Sequence, residues 1–141
     1  MEMNRRQVCA VLPLLALGSR GAGAEDRLRS MVKPFEQLPV RKNAIGAETR
    51  PILQGRSYDK VGLEVHETVL PPGAAPHPPH RHAHDEMFLM MRGTLDITIN
   101  GKTTRMGPGS AGFVAGDDEH GVKNTGAEPA QYFVIAIGSE S

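Results

Sequence analysis

The chain has 141 residues, room for one domain and not comfortably for two. Hydrophobic residues at 39% and charged residues at 23% are the proportions of a folded globular chain and argue against disorder. A formal net charge of zero, with no Lys/Arg-rich block or basic stripe, argues against nucleic acid as a partner.

Residues 1–24 read as an address. Arg5 and Arg6 form a positive start, an apolar run of about ten residues follows, and Ala22-Gly23-Ala24 closes on a small-residue cleavage pattern. The run is too short for a membrane span, which needs roughly 20 apolar residues. A signal peptide, export and a periplasmic location are therefore expected, and the paired arginines point toward the twin-arginine route. Cys9 is the only cysteine and falls in this leader, behind a poor lipobox. A mature chain has no thiol, which excludes a disulfide, a thiolate metal site and a cysteine nucleophile. Loss of the leader removes three Arg and one Glu, leaving 13 basic and 15 acidic residues and a net charge of −2.

Residues 25–45 are weakly patterned and read as an N-terminal arm lying over the domain. Asp26 to Val32 suits a turn or two of helix, which Pro34 and Pro39 would end. The domain proper is assigned to 46–141. Lys60 to Leu70 alternates, with Val61, Leu63, Val65 and Val69 on one parity, and Pro71-Pro72-Gly73 stops it. Met87 to Met91 is an apolar run of strand length. Leu95, Ile97 and Ile99 alternate with Thr94, Asp96 and Thr98, a half-buried strand. Asn100-Gly101 is the strongest hairpin signal, because both residues tolerate the positive φ of a type I′ turn. Lys102 to Met106 returns from it, Gly107-Pro108-Gly109 turns again, and Ser110 to Val114 is a further short strand. Tyr132 to Ile137 is apolar on both parities and reads as a strand covered on both faces. Gly and Pro together number 27, which suits many short strands joined by tight turns. The expected fold is an all-β sandwich, jelly roll or small barrel.

The chemistry is concentrated in the histidines. His77, His80, His82 and His84 crowd into eight residues, and His120 lies 36 residues beyond His84. On an extended segment, residues two apart share a face, so His80 and His82 can approach one ion. Glu86 keeps that parity and opens an apolar strand, an expensive place for a charge that is neither paired nor bound to a cation. His120, on a turn, could close the site from elsewhere. Three imidazoles and a carboxylate suit one divalent transition metal: Fe, Mn, Ni, Cu, Co or Zn. A competing register takes His82 and His84 as the pair. His77 and His84 read as rim residues, and His66 as a surface or hydrogen-bonded core histidine, with the barrel interior as its alternative. From Glu86, parity gives Phe88 and Met90 as pocket wall. Met87, Leu89 and Met91 lie on the opposite face, which needs a cover; the arm or a second subunit, and so a homodimer, would supply it. Asp117-Asp118-Glu119 reads as a solvated turn, with a general acid or base as the alternative. Arg92 is a candidate for a substrate carboxylate or a surface charge, and Asn124 for hydrogen bonds in the turn holding His120.

These spacings resemble the cupin superfamily. Its first motif, G(X)5HXH(X)3,4E(X)6G, is matched by Gly73, His80-Arg81-His82, Glu86 and Gly93, with one extra residue after Gly73. Its second, G(X)5PXG(X)2H(X)3N, is matched by Gly109, His120 and Asn124, with Ala115 for Pro and Asp117 for Gly. Fifteen residues separate Gly93 from Gly109, the short spacing of compact bacterial cupins. The resemblance covers roughly 60–137. It implies a small single-domain cupin barrel, or jelly roll, with His80, His82, Glu86 and His120 as metal ligands. It implies a metal-dependent dioxygenase acting on a small oxygen-rich substrate, with Glu86 as both ligand and proton acceptor, as in quercetinase-like relatives. Glu86 sets the chain apart from the thiol dioxygenases, and its single domain from the two-domain oxalate-decarboxylating relatives. A non-redox lyase or isomerase, and a non-catalytic barrel that binds a small molecule or sugar, stay open.

Overall fold

A computed structural model describes residues 26–139. The signal peptide expected over 1–24 lies outside these residues. Nine strands occur among them: β1 Arg41–Lys42, β2 Glu48–Arg56, β3 Gly62–Leu70, β4 Asp85–Arg92, β5 Leu95–Ile99, β6 Lys102–Met106, β7 Ala111–Val114, β8 His120–Lys123 and β9 Ala130–Ile137. They pair antiparallel in two sheets, ordered β1-β2-β3-β9-β4-β7 and β6-β5-β8. The last strand is inserted between β3 and β4, and β8 returns beside β5. These non-sequential neighbours make an all-β jelly roll. No helix of the described residues is long and apolar enough to cross a membrane.

Local chemistry sets the turns. Asn100 and Gly101 adopt φ of 47° and 83°, so β5 and β6 join through the left-handed pair that their sequence favours. Asp117 stands where the family motif has glycine, and it takes the glycine-like φ of 67°. Two hydrogen bonds to its backbone hold it there: Asp117 N–H donates to the His82 carbonyl at 2.8 Å, and the Asp117 carbonyl accepts from the Arg81 side chain at Nη1, also at 2.8 Å.

The interior face of the larger sheet is read directly from its register. Thr49, Thr68, Tyr132 and Met90 stand in one row, and Pro51, His66, Val134 and Phe88 in the next. Leu95, Ile97 and Val122 face them from the smaller sheet, and with Leu70, Met106, Val114 and Ala130 they form the core. Leu70 and Leu95 are wholly buried, each contributing about 1.5–3 kcal/mol by leaving water. The parity of Val61, Leu63, Val65 and Val69 is the opposite one, on the outside of the sheet.

Two expectations are corrected. Asp26 to Val32 is not helical: Leu28 N–H donates to the Arg56 carbonyl and Arg56 N–H to the Asp26 carbonyl, so the arm runs extended along β2. Its one helical turn is Phe35–Gln37, directly after Pro34, whose carbonyl accepts the Gln37 N–H. β9 is covered on one face only. Ala130, Tyr132, Val134 and Ala136 are buried, while Gln131, Phe133, Ile135 and Ile137 are half-buried on the outside.

On that outer face an ionic chain crosses β2 and β3. Arg50 donates to Glu48 and to Glu67, both at 3.0 Å, and stacks over the Phe35 ring. Gln131 donates to the other Glu67 oxygen at 2.8 Å. Glu67 is fully buried, so these donors stand in for the water it gives up.

Candidate metal site

His80 and His120 are locked together as a two-stranded bridge. Each N–H donates to the other's carbonyl, at 2.9 and 3.0 Å. His120 is therefore the first residue of β8, not a turn residue, and is only 2% exposed. The turn before it is pinned by three hydrogen bonds. Gly116 N–H donates to Asp85, Asn100 Nδ2 donates to Asp118, and Asn100 Oδ1 accepts the Glu119 N–H. Asp118 and Glu119 thus build the turn. Asn124 is wholly buried after β8; its Nδ2 donates to the Leu70 and Glu128 carbonyls and its Oδ1 accepts the Gly126 N–H. It ties β8 to the end of β3.

His80, His82 and His120 each offer a ring nitrogen, and the three lie within 4.8 Å of one another. Glu86 reaches two of the three: Oε2 is 3.2 Å from His120 Nε2 and Oε1 is 3.3 Å from His82 Nε2. The imidazoles' outer nitrogens define the tautomers. His82 Nδ1 faces the His84 carbonyl at 2.9 Å and His120 Nδ1 faces the Asp118 carbonyl at 3.0 Å. A carbonyl can only accept, so both Nδ1 atoms carry protons, and in neutral rings both Nε2 atoms present lone pairs to Glu86. Lone pairs aimed at a carboxylate repel it unless a cation or an added proton lies between. His80 Nδ1 and His82 Nε2 are moreover buried without a hydrogen-bond partner. Orphaned buried nitrogens, one of them beside a carboxylate, in a cluster of three imidazoles fit a divalent transition metal. The proton-binding tendency of His80 is lowered, first by burial and then by its histidine neighbours.

The other histidines fall around this group. His84 stacks on His82 with ring centroids 3.7 Å apart, and its Nε2 is 3.5 Å from Glu86 Oε1. It supplies the competing trio of His82, His84 and Glu86, but that trio leaves out the buried His120. His77 lies edge-on to His80 at 4.2 Å.

The group opens into a cavity of about 240 Å³ between the sheets, lined by Glu86, His120, His66, Thr49, Thr68, Phe88, Tyr132 and Val134, among others. Phe88 is on the wall as parity requires, while Met90 is packed in the core. His66 faces this cavity, not the surface. Sequence parity held the signal: His66 and Thr68 share one face of β3, and the valines share the other. Burial pushes the His66 imidazole below its ordinary value, partly offset by Glu64, whose Oε1 is 3.8 Å away. Burial pushes the Tyr132 phenol far above its ordinary value, so it stays protonated at neutral pH. Arg92 is not at the cavity. A bulge between Met90 and Arg92 reverses the parity of β4, and Arg92 is exposed opposite Gln131.

A larger groove of about 670 Å³ lies outside the smaller sheet, between the 75–79 loop and Asp96, Thr98, Thr103 and Lys123. Its lining holds none of the metal-ligand candidates, so its size does not make it the chemical centre.

Comparison with known proteins agrees on the fold. The RmlC-like cupin from Shewanella frigidimarina superposes with a TM-score of 0.66 at 15% identity, covering 80% of this chain and 95% of that one. KdgF from Halomonas sp. gives 0.70 at 15% identity, with 80% and 97% covered. A predicted oxalate decarboxylase from Thermotoga maritima gives 0.61 at 21%, with 77% and 100% covered. No curated protein matches the sequence. The family model described as "Cupin domain" matches residues 66–136, half of the chain and the segment that carries every ligand candidate. Sequence motif, jelly-roll topology and family match coincide, and the chain belongs to the cupin family.

Proposed function

We propose that the protein is a metal-dependent cupin enzyme. It holds one divalent transition metal through His80, His82, Glu86 and His120 and acts, with dioxygen, on a small oxygen-rich substrate. The observation that carries this reading is the clustering of ring nitrogens of His80, His82 and His120 within 4.8 Å of one another, with His82 Nε2 and His120 Nε2 also 3.3 and 3.2 Å from the Glu86 carboxylate. The ion would supply a Lewis-acidic centre with positions left for substrate and dioxygen.

The chain's own groups do the rest. Glu86 completes the ligand set and is placed to accept a proton from a bound hydroxyl. Tyr132 and Thr68 offer hydroxyl groups to substrate oxygens, while Phe88 and Val134 exclude water from the same wall. A cavity of about 240 Å³ admits a small molecule and not a polymer. The polar lining favours an enzyme over a barrel that merely captures a ligand. A similar solved structure is titled a predicted oxalate decarboxylase, which agrees with small oxygen-rich substrates. A non-redox lyase is the second reading, favoured by the neutral His66 and Glu86 sharing one cavity as proton-transfer groups.

The proposal also includes export, with cleavage after Ala24, and a homodimer. Phe113, Met87, Ile135 and Val65 form one row across the outer face of the larger sheet, and Phe113 and Met91 are 52% and 54% exposed. The described arm runs along β2, where Phe35 covers Arg50, so the cover for this face is assigned to a second copy.

Metal content measured by mass spectrometry tests the central claim. About one equivalent of Fe, Mn, Ni, Cu, Co or Zn is expected in the parent and none in His82→Ala. A folded parent that takes up none of these ions would overturn it. Oxygen uptake by the loaded protein then separates the dioxygenase from the lyase.

A further inference from the structure

The two sheets are unequal. Six strands pair in the larger sheet and three in the smaller, and the inner face of β1 and β2 lies at one edge of the larger. There it forms a groove of about 400 Å³ lined by Arg41, Thr49, Gln54, Glu64, His66 and Lys33, among others. Thr49 and His66 also line the metal cavity, so groove and cavity adjoin across these two residues.

The register aims Arg41 into this passage. Arg41 stands opposite Thr49, Thr49 opposite Thr68, and Thr68 opposite Tyr132. Directly opposed residues in an antiparallel sheet project to the same face. The guanidinium is therefore carried on the row that leads to Thr68 and Tyr132 in the cavity. Arg41 makes no salt bridge with an acid among the described residues, whereas its neighbour Lys42 pairs with Glu48 on the other face. Lys33 reaches the same groove from the arm, held by its bond to the Ile52 carbonyl. The one acid in the lining, Glu64, lies beside His66.

We infer that this groove is a cationic port, and that the substrate is a small carboxylate which enters past Arg41 and is held there by a charge-assisted hydrogen bond while its other oxygens reach the metal cavity. An unpaired guanidinium exposed on the wall of a concave groove binds a carboxylate by paired N–H donors. The cation expected of Arg92 is thus supplied by a residue of the arm. The inference deepens the proposed function and rests on it for the cavity as the place of turnover.

The test is calorimetric titration of the nickel-loaded protein with malonate and with malonamide, its uncharged counterpart. The parent is expected to bind malonate at least about tenfold more tightly than malonamide, and Arg41→Gln to weaken malonate by about tenfold with its nickel stoichiometry unchanged. Arg41→Lys, which keeps the charge and loses the fork, is expected to recover part of the loss. A thermal melt shows whether each variant is folded. Equal malonate affinity in parent and Arg41→Gln, or a parent that does not prefer malonate, overturns the port. Nickel stoichiometry is read separately: a parent that loads no metal overturns the proposed function, and the port is then judged on the metal-free protein by the same charge comparison.

Discussion

The two ends of the barrel interior are built from the same strands and do opposite things. At one end Leu70, Leu95, Ile97, Met106 and Met90 pack into a closed apolar core. At the other, two to four residues further along the same inward parity, the strands present Thr68, His66, Glu86 and His120 to a cavity. β4 shows the switch in a single strand: Met90 is core, Phe88 is the boundary, and Glu86 is at the metal site. Stability comes from the filled end and chemistry from the hollow one. The imidazoles beside Glu86 replace part of the water its carboxylate gives up, and a bound cation would complete that exchange.

The division predicts that damage at each end has a separate readout. The largest stability loss belongs to the closed end. Leu95→Ala should destabilise the fold by about 2–5 kcal/mol, seen as a lower denaturant midpoint, while the folded fraction still takes one equivalent of metal. If metal is lost in step with stability, the two ends are not separate.

Asn124 sits between them, buried under β8 with three hydrogen bonds to the backbone. Asn124→Ala leaves two carbonyls and one N–H without partners and should cost about 2–3 kcal/mol. It should also loosen His120, four residues away in β8, so metal affinity falls as well. Chelator competition alongside chemical denaturation measures both, and an unchanged metal affinity would show that β8 holds His120 without this tie.

At the hollow end the expected effect on folding is smaller and the effect on metal larger. Glu86→Gln removes a carboxylate that repels imidazole lone pairs in the metal-free state. The metal-free protein should therefore be at least as stable as the parent, and metal affinity should fall by about tenfold or more. A variant that binds metal as tightly as the parent and loses turnover would make Glu86 a proton acceptor alone.

These contrasts also explain what the sequence made legible. The core alternation of β5, the Asn100-Gly101 hairpin and the His-x-His with Glu86 are local patterns, and each was readable. β2 was not, because Pro51, a bulge between Pro51 and Leu53, and four charged or amide side chains erase its alternation. β8 is four residues long with a glycine second, too short to carry a period. His66 and Arg41 needed the register itself. In β3 the valines mark the outer face and the polar parity points inward, since part of this barrel's interior is a site and not a core. Hydrophobic alternation locates a strand's two faces; only pairing says which one is inside.

The smallest predicted effect tests that placement of His66. Its folded proton affinity is lowered from the ordinary value of 6.5, chiefly by desolvation. Below pH 6.5 the unfolded chain takes up a proton that the folded chain resists, so this group's contribution to stability is complete above 6.5 and declines as pH falls toward the folded value. His80 is shifted the same way for the same leading cause, and the metal-free protein should lose stability over that interval. His66→Gln should flatten the decline without abolishing it, because His80 remains. Denaturation curves of the metal-free parent and variant at a series of pH values between 7 and about 5 measure the slope. An identical slope in the two would mean that His66 is as well solvated in the fold as in the open chain, and would move it from the cavity wall to the rim.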